Sequence, residues 1–326
     1  MTHKKIAKLA NVSESTVSKA LSGSKEISEE LSQKIIKIAI ENGYFEGKNK
    51  RKIEYSRKDT ISIAVVCHEY MSTAYAREIT AFKKEVEIRG GLLSVYASDF
   101  DNEKMNRIIE MITVRNSADG IILYPCGELK VTPSAATVII TNDPSDKYDT
   151  VSNDGDEILY DIIKHLKEAG HTKIAYAGET HTRSKEESFK KAMDVLGIPC
   201  DEKYSYVYNA RFEDIGYKAA EAIVKEKVRP TAVVCAYDEV AIALIHKLDE
   251  KNIRVPEDIS VIGINDIPSS AYSSVPLTTV NLFDDEKGAT VVAQLYDRIC
   301  NSERALQHVT VKHKLIERKS VKKIFE

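Results

Sequence analysis

From Thr60 onward the sequence alternates between short β-branched apolar runs and longer amphipathic stretches, and this alternation restricts the fold more than any other feature. The runs are ISIAVV, LLSVYAS, GIILYP, TVIIT, KIAYAG, YSYVY, TAVVCA and ISVIGIN. Strands separated by helices join through right-handed crossovers into a mainly parallel sheet covered by helices. Such α/β sheets bind ligands at the carboxyl ends of their strands, so the residues just after each run are candidate site residues. Ser72 and Tyr75 follow the first run, Ser98 and Asp99 the second, and Asn142 and Asp143 follow TVIIT.

Residues 1–44 have a different texture. Ile6, Leu9 and Ala10 mark one helical apolar face, Val17 and Leu21 a second, and Leu31, Ile35 and Ile38 a third. Asn11 suits a left-handed helix end, and Ser13 and Ser28 stand where N-caps belong. Two short helices joined by a tight turn, with a third closing a small core, predict a helix-turn-helix that ends near Gly43 and Tyr44. Charge points the same way. Residues 1–58 hold 13 Lys/Arg against 7 Asp/Glu, a net +6, which leaves −9 on the rest of a chain whose formal total is −3. A basic arm on an acidic body suggests a polyanionic partner for the arm alone.

Several classes are disfavoured. The five scattered cysteines form no CxxC, so buried free thiols are expected rather than a disulfide framework or zinc site. No apolar run is long enough to span a membrane, and MTHKKIAKLA lacks a signal-peptide core; both favour a cytoplasmic protein. GxSxG, HExxH, GxGxxG and GxxxxGK[ST] are all absent, so nothing supports an enzyme, and neither metal nor cofactor is expected.

Particular motifs carry a family resemblance. IAKLANVSESTVSKAL at 6–21 resembles the headpiece of the LacI/GalR family of bacterial transcription regulators. Asp119-Gly120-Ile121-Ile122, Gly170-His171-Thr172-Lys173-Ile174, Val255 to Gly263 (VPEDISVIG), Leu277 to Val280 (LTTV) and Leu315 to Ser320 resemble that family's core motifs, in order. The resemblance implies a lambda-repressor-like helix-turn-helix (1–44), a hinge (45–59) and a two-lobed, periplasmic-binding-protein-like core of doubly wound parallel sheets (60–326). It places an N-lobe at about 60–153 and 284–312, and a C-lobe at about 154–283 and 313–326. It also implies a homodimer on a near-palindromic duplex operator, controlled by a small-molecule effector, with a carbohydrate the expected class. The alternatives are a solute-binding-protein-like sensor or a catabolite-control regulator that uses a phosphocarrier protein.

The recognition helix of such a motif meets base edges with its first residues. Glu14 and Ser15 should face bases, Thr16 and Ser18 phosphate, and Lys19 a guanine edge, with the cap Ser13 in the same DNA-binding set. Arginine is usual in the family at Lys19, and lysine discriminates less. Ile53 takes the place of the family's apolar wedge in the minor groove, with Lys50 beside the phosphates. In the core, the family alignment adds Lys185, Tyr237, Asp238 and Asn265 as effector-binding residues. Arginine is usual at Lys185 and asparagine at Tyr237. Such clefts hydrogen-bond hydroxyls and stack an aromatic ring on the sugar face, while a lysine there could also hold an anionic effector.

Overall fold

The computed structural model describes residues 2–21, 26–41, 60–143, 145–282 and 285–324. The hinge, with Lys50 and Ile53, and the expected helix end at Gly43 and Tyr44 lie outside the described residues. The chain divides into two compact units that meet at Thr60.

The first unit holds α1 (His3–Ala10), α2 (Glu14–Leu21) and α3 (Glu29–Glu41). Asn11 ends α1 in the left-handed conformation (φ 55°, ψ 48°), its amide bonded to Ala7 O. Ser13 Oγ accepts from the Thr16 amide at 3.1 Å and so caps α2. Ile6, Ala7, Ala10, Val17, Ala20, Ile35 and Ala39 form the core. Leu9 is 56% exposed, contrary to expectation. A helix advancing about 100° per residue keeps positions 6, 7 and 10 in one arc and turns position 9 away, so Ala7 fills the place read for Leu9.

The second unit starts with β1 (Ser62–Cys67), α4 (Thr73–Ile88), β2 (Leu92–Ala97), α5 (Asn102–Arg115), β3 (Gly120–Leu123), β4 (Ala136–Ile140) and β5 (Asp149–Ser152). It continues with α6 (Gly155–Glu168), β6 (Ile174–Glu179), α7 (Arg183–Val195), β7 (Ser205–Tyr208), α8 (Glu213–Lys225), β8 (Ala232–Cys235), α9 (Asp238–Asp249), β9 (Ser260–Ile264) and β10 (Thr278–Asn281). It closes with α10 (Asp285–Cys300), β11 (His308–Thr310) and β12 (Lys314–Ile316). Two six-stranded sheets result, in the orders β11-β5-β4-β3-β1-β2 and β12-β10-β9-β8-β6-β7. The pairings are parallel, with β12 added antiparallel to β10. Ile63, Val65, Ile122 and Val138 pack under α4 and α10 on one face of the first sheet, and Ala64, Val66, Ile121 and Leu123 pack with α5 on the other. Burial on both faces explains why these strands read as unbroken apolar runs. The chain passes between the sheets after β5, after β10 and after β11, so each sheet with its helices is one lobe.

Asn153 ties these passages together. Its Oδ1 accepts from Lys287 Nζ at 2.8 Å, and its Nδ2 donates to Val311 O at 3.2 Å. Lys287 in turn pairs with Glu78 of α4 at 2.6 Å, both side chains being 4% exposed. A second buried tie lies at the start of β5. The Asp149 carboxylate accepts from Arg298 Nε (2.8 Å) and Nη2 (2.9 Å), Arg304 Nη2 (2.8 Å) and Nη1 (3.2 Å), and the Gln307 amide (2.8 Å). It thereby fixes the turn from α10 into β11.

Burial alone would raise the Asp149 carboxyl, but the Arg298 guanidinium, the Gln307 amide and Arg304 outweigh it and hold it below its ordinary value. A depressed folded-state pKa contributes stability above the unfolded value of about 3.9 and loses it as pH falls through the folded value. Asp149→Asn should therefore cost about 3–5 kcal/mol at pH 7, as removal of one partner from a buried ion pair does. Urea unfolding should also find the gap to wild type narrowing below about pH 4.

Candidate functional site

In the first unit, α2 buries Val17 and Ala20 and turns Glu14, Ser15, Ser18 and Lys19 to solvent. Positions 14, 15, 18 and 19 share one helical face. Ser13 is exposed at the cap, and its Oγ lies 2.7 Å from both Ser15 Oγ and Thr16 Oγ1. Thr16 is half-buried. Lys19 pairs with Glu26, whose carboxyl it holds below its ordinary value. Hydroxyls at the helix start and a cation one turn later on one exposed face form a surface able to meet phosphates and base edges.

In the second unit, a cavity of about 600 Å³ opens where the carboxyl ends of both sheets face each other. Of the residues expected there, Ser72, Tyr75, Asn142, Lys185, Tyr237 and Asn265 line it. Ser72 also caps α4, accepting from the Tyr75 amide at 3.5 Å. Tyr75 Oη lies 2.7 Å from His68 Nδ1, and His68 Nε2 lies 3.1 Å from Pro125 O. The carbonyl can only accept, so Nε2 carries the proton and Nδ1 accepts from Tyr75. Burial lowers the His68 pKa, consistent with this neutral tautomer.

Four expected residues do not line it: Ser98 is buried, Asp143 is exposed, and Asp99 and Asp238 lie elsewhere. Asp99 is exposed and paired with Lys104. Asp99 and Phe100 have φ of 55° and 60°, and these two left-handed residues turn Phe100, not Asp99, into the cleft. The rule that the residue after a strand faces the ligand misses here by one position. Asp238 is fully buried beneath the cleft. Its carboxylate accepts from the Ile267 amide (2.9 Å), Ser270 Oγ (2.7 Å) and Thr279 Oγ1 (2.5 Å). A Cβ at position 263 would come within 2.2 Å of its Oδ1, which is why Gly263 precedes the β9 turn. Asp238 thus positions the loop that carries Asn265 (φ 116°) and Asp266 (φ 47°), and Arg318 Nη2 holds Asp266 Oδ1 at 2.7 Å. From the first lobe, Arg77 donates to the carbonyls of both loop residues.

The sequence reading missed several cleft residues, chiefly Phe100, Glu179, Arg211 and Phe212. Arg211 Nη2 donates to Glu69 of the first lobe at 2.7 Å and Nη1 to Glu179 of the second at 3.2 Å. Its guanidinium lies over the rings of Phe100 (4.8 Å) and Phe212 (4.3 Å). Phe212 directly follows Arg211 and has φ 45°, a backbone cost of about 1–3 kcal/mol for a bulky residue. Glu179 directly follows KIAYAG, so the strand-end rule should have found it. Arg211 stands three residues beyond YSYVY, in the loop before α8, and left no periodic signal.

Lys185 donates from Nζ to Ala236 O at 2.9 Å and lies 3.9 Å above the Tyr237 ring. Tyr237 donates its hydroxyl to Glu179 Oε1 at 2.9 Å. Burial pulls the Lys185 pKa down to about 8, against the field of Glu179. The unfolded chain, with a lysine pKa of about 10.4, then binds more protons between these values, so stability should rise with pH in that window. Chemical denaturation should find wild type gaining stability relative to Lys185→Met from pH 8 to about pH 10. A constant difference would contradict the burial of this amine.

Comparisons with known proteins agree with this architecture. The sequence profile of bacterial regulatory proteins of the lacI family matches residues 2–45, and a periplasmic binding protein-like domain matches residues 163–321. The chain is 28% identical over 338 aligned positions to the HTH-type transcriptional repressor PurR of Haemophilus influenzae (strain PittEE), covering 99% of each. The fold is shared with the lac repressor dimer bound to operator and the anti-inducer ONPF (TM-score 0.72, 20% identity, 99% of each chain). It is also shared with the transcriptional regulator CelR in complex with cellobiose (TM-score 0.70, 20% identity, 98% of this chain and 99% of that one). With a helix-turn-helix unit joined to two parallel-sheet lobes, and with relatives that are transcriptional repressors rather than enzymes, this chain belongs to the LacI/GalR family of bacterial regulatory proteins.

Proposed function

We propose that this protein is a cytoplasmic transcriptional repressor that binds a near-palindromic operator as a homodimer and responds to a neutral sugar held between its lobes. The observation that carries the DNA-binding half is the exposed face of α2, where Glu14, Ser15, Ser18 and Lys19 stand together over a buried core. Glu14 accepts from a cytosine amine, Lys19 reaches a guanine edge, and the hydroxyls of Ser13, Thr16 and Ser18 take phosphates. Leaving Glu26 for DNA costs Lys19 little, because an exposed pair contributes little. Lys50 and Ile53 serve as phosphate contact and minor-groove wedge in the hinge.

For the effector, the charge balance favours a neutral ligand over the anionic one that Lys185 alone would suggest. The cleft-lining carboxylates Glu69, Glu78 and Glu179 face Lys185, Arg211 and Lys287. Arg211 and Lys287 are ion-paired, and Lys185 already bonds a carbonyl and covers a ring. The aromatic walls of Tyr75, Tyr124 and Tyr237, with Asn142 and Asn265, suit a ring bearing hydroxyls. The fold neighbour in complex with cellobiose supports the same class. Sugar binding alters lobe closure, closure alters the paired hinges, and operator affinity changes with them.

Selection of full-length protein against a random duplex library should yield a near-palindrome. Lys19→Ala should weaken binding to that sequence by about 1–3 kcal/mol and blur specificity at one base pair of each half-site. Fluorescence anisotropy giving equal affinities would refute this docking. Loss of all duplex selectivity in the intact chain would favour a sensor without DNA.

A further inference from the structure

The Glu179 side chain is fully buried in the cleft wall at the end of β6. Its two oxygens are unequal. Oε1 accepts from Tyr237 Oη at 2.9 Å and from Arg211 Nη1 at 3.2 Å. Oε2 has no hydrogen-bond partner among the described residues and no contact with solvent. An unmet buried acceptor on a carboxylate is costly, and native structures seldom retain one without a use. The surroundings fix its orientation: Tyr237 and Arg211 grip one oxygen and leave the other directed away from them. Arg211 is itself held by Glu69 and by two phenylalanine rings. The strand end fixes the carboxylate through one oxygen, and the covered free oxygen is reached from the cavity when a neighbouring side chain of the wall moves aside for the ligand.

We propose that Glu179 is the specificity-determining acceptor of the cleft, its Oε2 taking a hydrogen bond from a hydroxyl of a neutral polyhydroxylated ligand. This rests on reading the cleft as the effector site. The donor is a hydroxyl rather than an ammonium because Lys185 and Arg211 both lie beside Glu179, and a cationic ligand would meet two like charges. A phosphate or carboxylate would meet the bare carboxylate oxygen and be repelled. A site that offers a buried acceptor also rejects analogues lacking the matching hydroxyl, since the acceptor is then left unmet.

The test is isothermal titration calorimetry of the full chain with D-ribose, D-glucose, sucrose, cellobiose, D-glucosamine and inorganic phosphate. A neutral sugar should bind, and Glu179→Gln should weaken it by about 10- to 100-fold, the range for a hydrogen bond to a charged group. Asp99→Ala, outside the cleft, should leave affinity within about twofold. One monodeoxy analogue of that sugar should bind wild type and Glu179→Gln alike, a signature that a merely structural role does not produce. Should Glu179→Gln melt early, Glu179→Asp, which keeps the charge but withdraws the oxygen, should give the same loss. Equal affinity of wild type and variant for the neutral sugar overturns the role of Glu179 and leaves the cleft reading intact. Preference for glucosamine or phosphate over every neutral sugar overturns the ligand class. Binding by none of the panel overturns the sugar reading itself.

Discussion

The two lobes depend on one buried tie. Asn153 lies where the chain first leaves the first sheet, accepts from Lys287 where the chain has returned, and donates to Val311 where it leaves again. Three passages are held by a single amide, and the Lys287–Glu78 pair fastens that amide to α4. Removing either member of such a buried pair leaves an uncompensated charge, so the tie is stiff against local change. The tie holds the three passages together at one point between the lobes. The cleft beside Asn153 and Lys287 is therefore where a ligand gains most by touching both sides.

From that tie outward, the cleft is shaped by side chains buried beneath and around it. Asp238 accepts three hydrogen bonds and thereby shapes the loop of Asn265 and Asp266. Burial pushes its carboxyl above the ordinary range, against the hydrogen bonds that lower it, so the group is maintained at a cost to stability. The left-handed residues Asn265, Phe100 and Phe212 gather around the same opening, with Asp266 next to Asn265. Such outliers collect where the surrounding structure has a geometric task. Here they deliver Asn265 to the cavity and place two rings around Arg211, which bridges Glu69 of one lobe and Glu179 of the other.

The sequence was informative where burial is symmetric. Each of the eight apolar runs lies on a strand, because a parallel strand covered on both faces has no polar alternation to disguise it. β5, β11 and β12 were not read as strands: DTVS, HVT and KLI are short and partly polar. β10 was recognised only through its LTTV motif. In the headpiece, Asn11 and Ser13 take the turn and cap positions that their chemistry predicts. The cleft was less legible. The strand-end rule named Asp99 and the family resemblance named Asp238 as ligand groups, but two positive φ angles turn the first outward and three nearby donors hold the second. Phe100 and Arg211 were missed because both sit in loops beyond strands, where no periodicity marks the residue that turns inward, and Phe100 does so through a left-handed backbone.

What joins the two units functionally is linkage: a ligand that favours one lobe arrangement must change operator affinity, and the operator must change ligand affinity by the same factor. The direct measurement is the operator dissociation constant of the full chain across a titration of the sugar that binds its cleft, paired with sugar affinity measured with and without saturating operator duplex. The account predicts equal and reciprocal shifts of about 5- to 150-fold. Sugar binding that leaves operator affinity unchanged at saturation would contradict it.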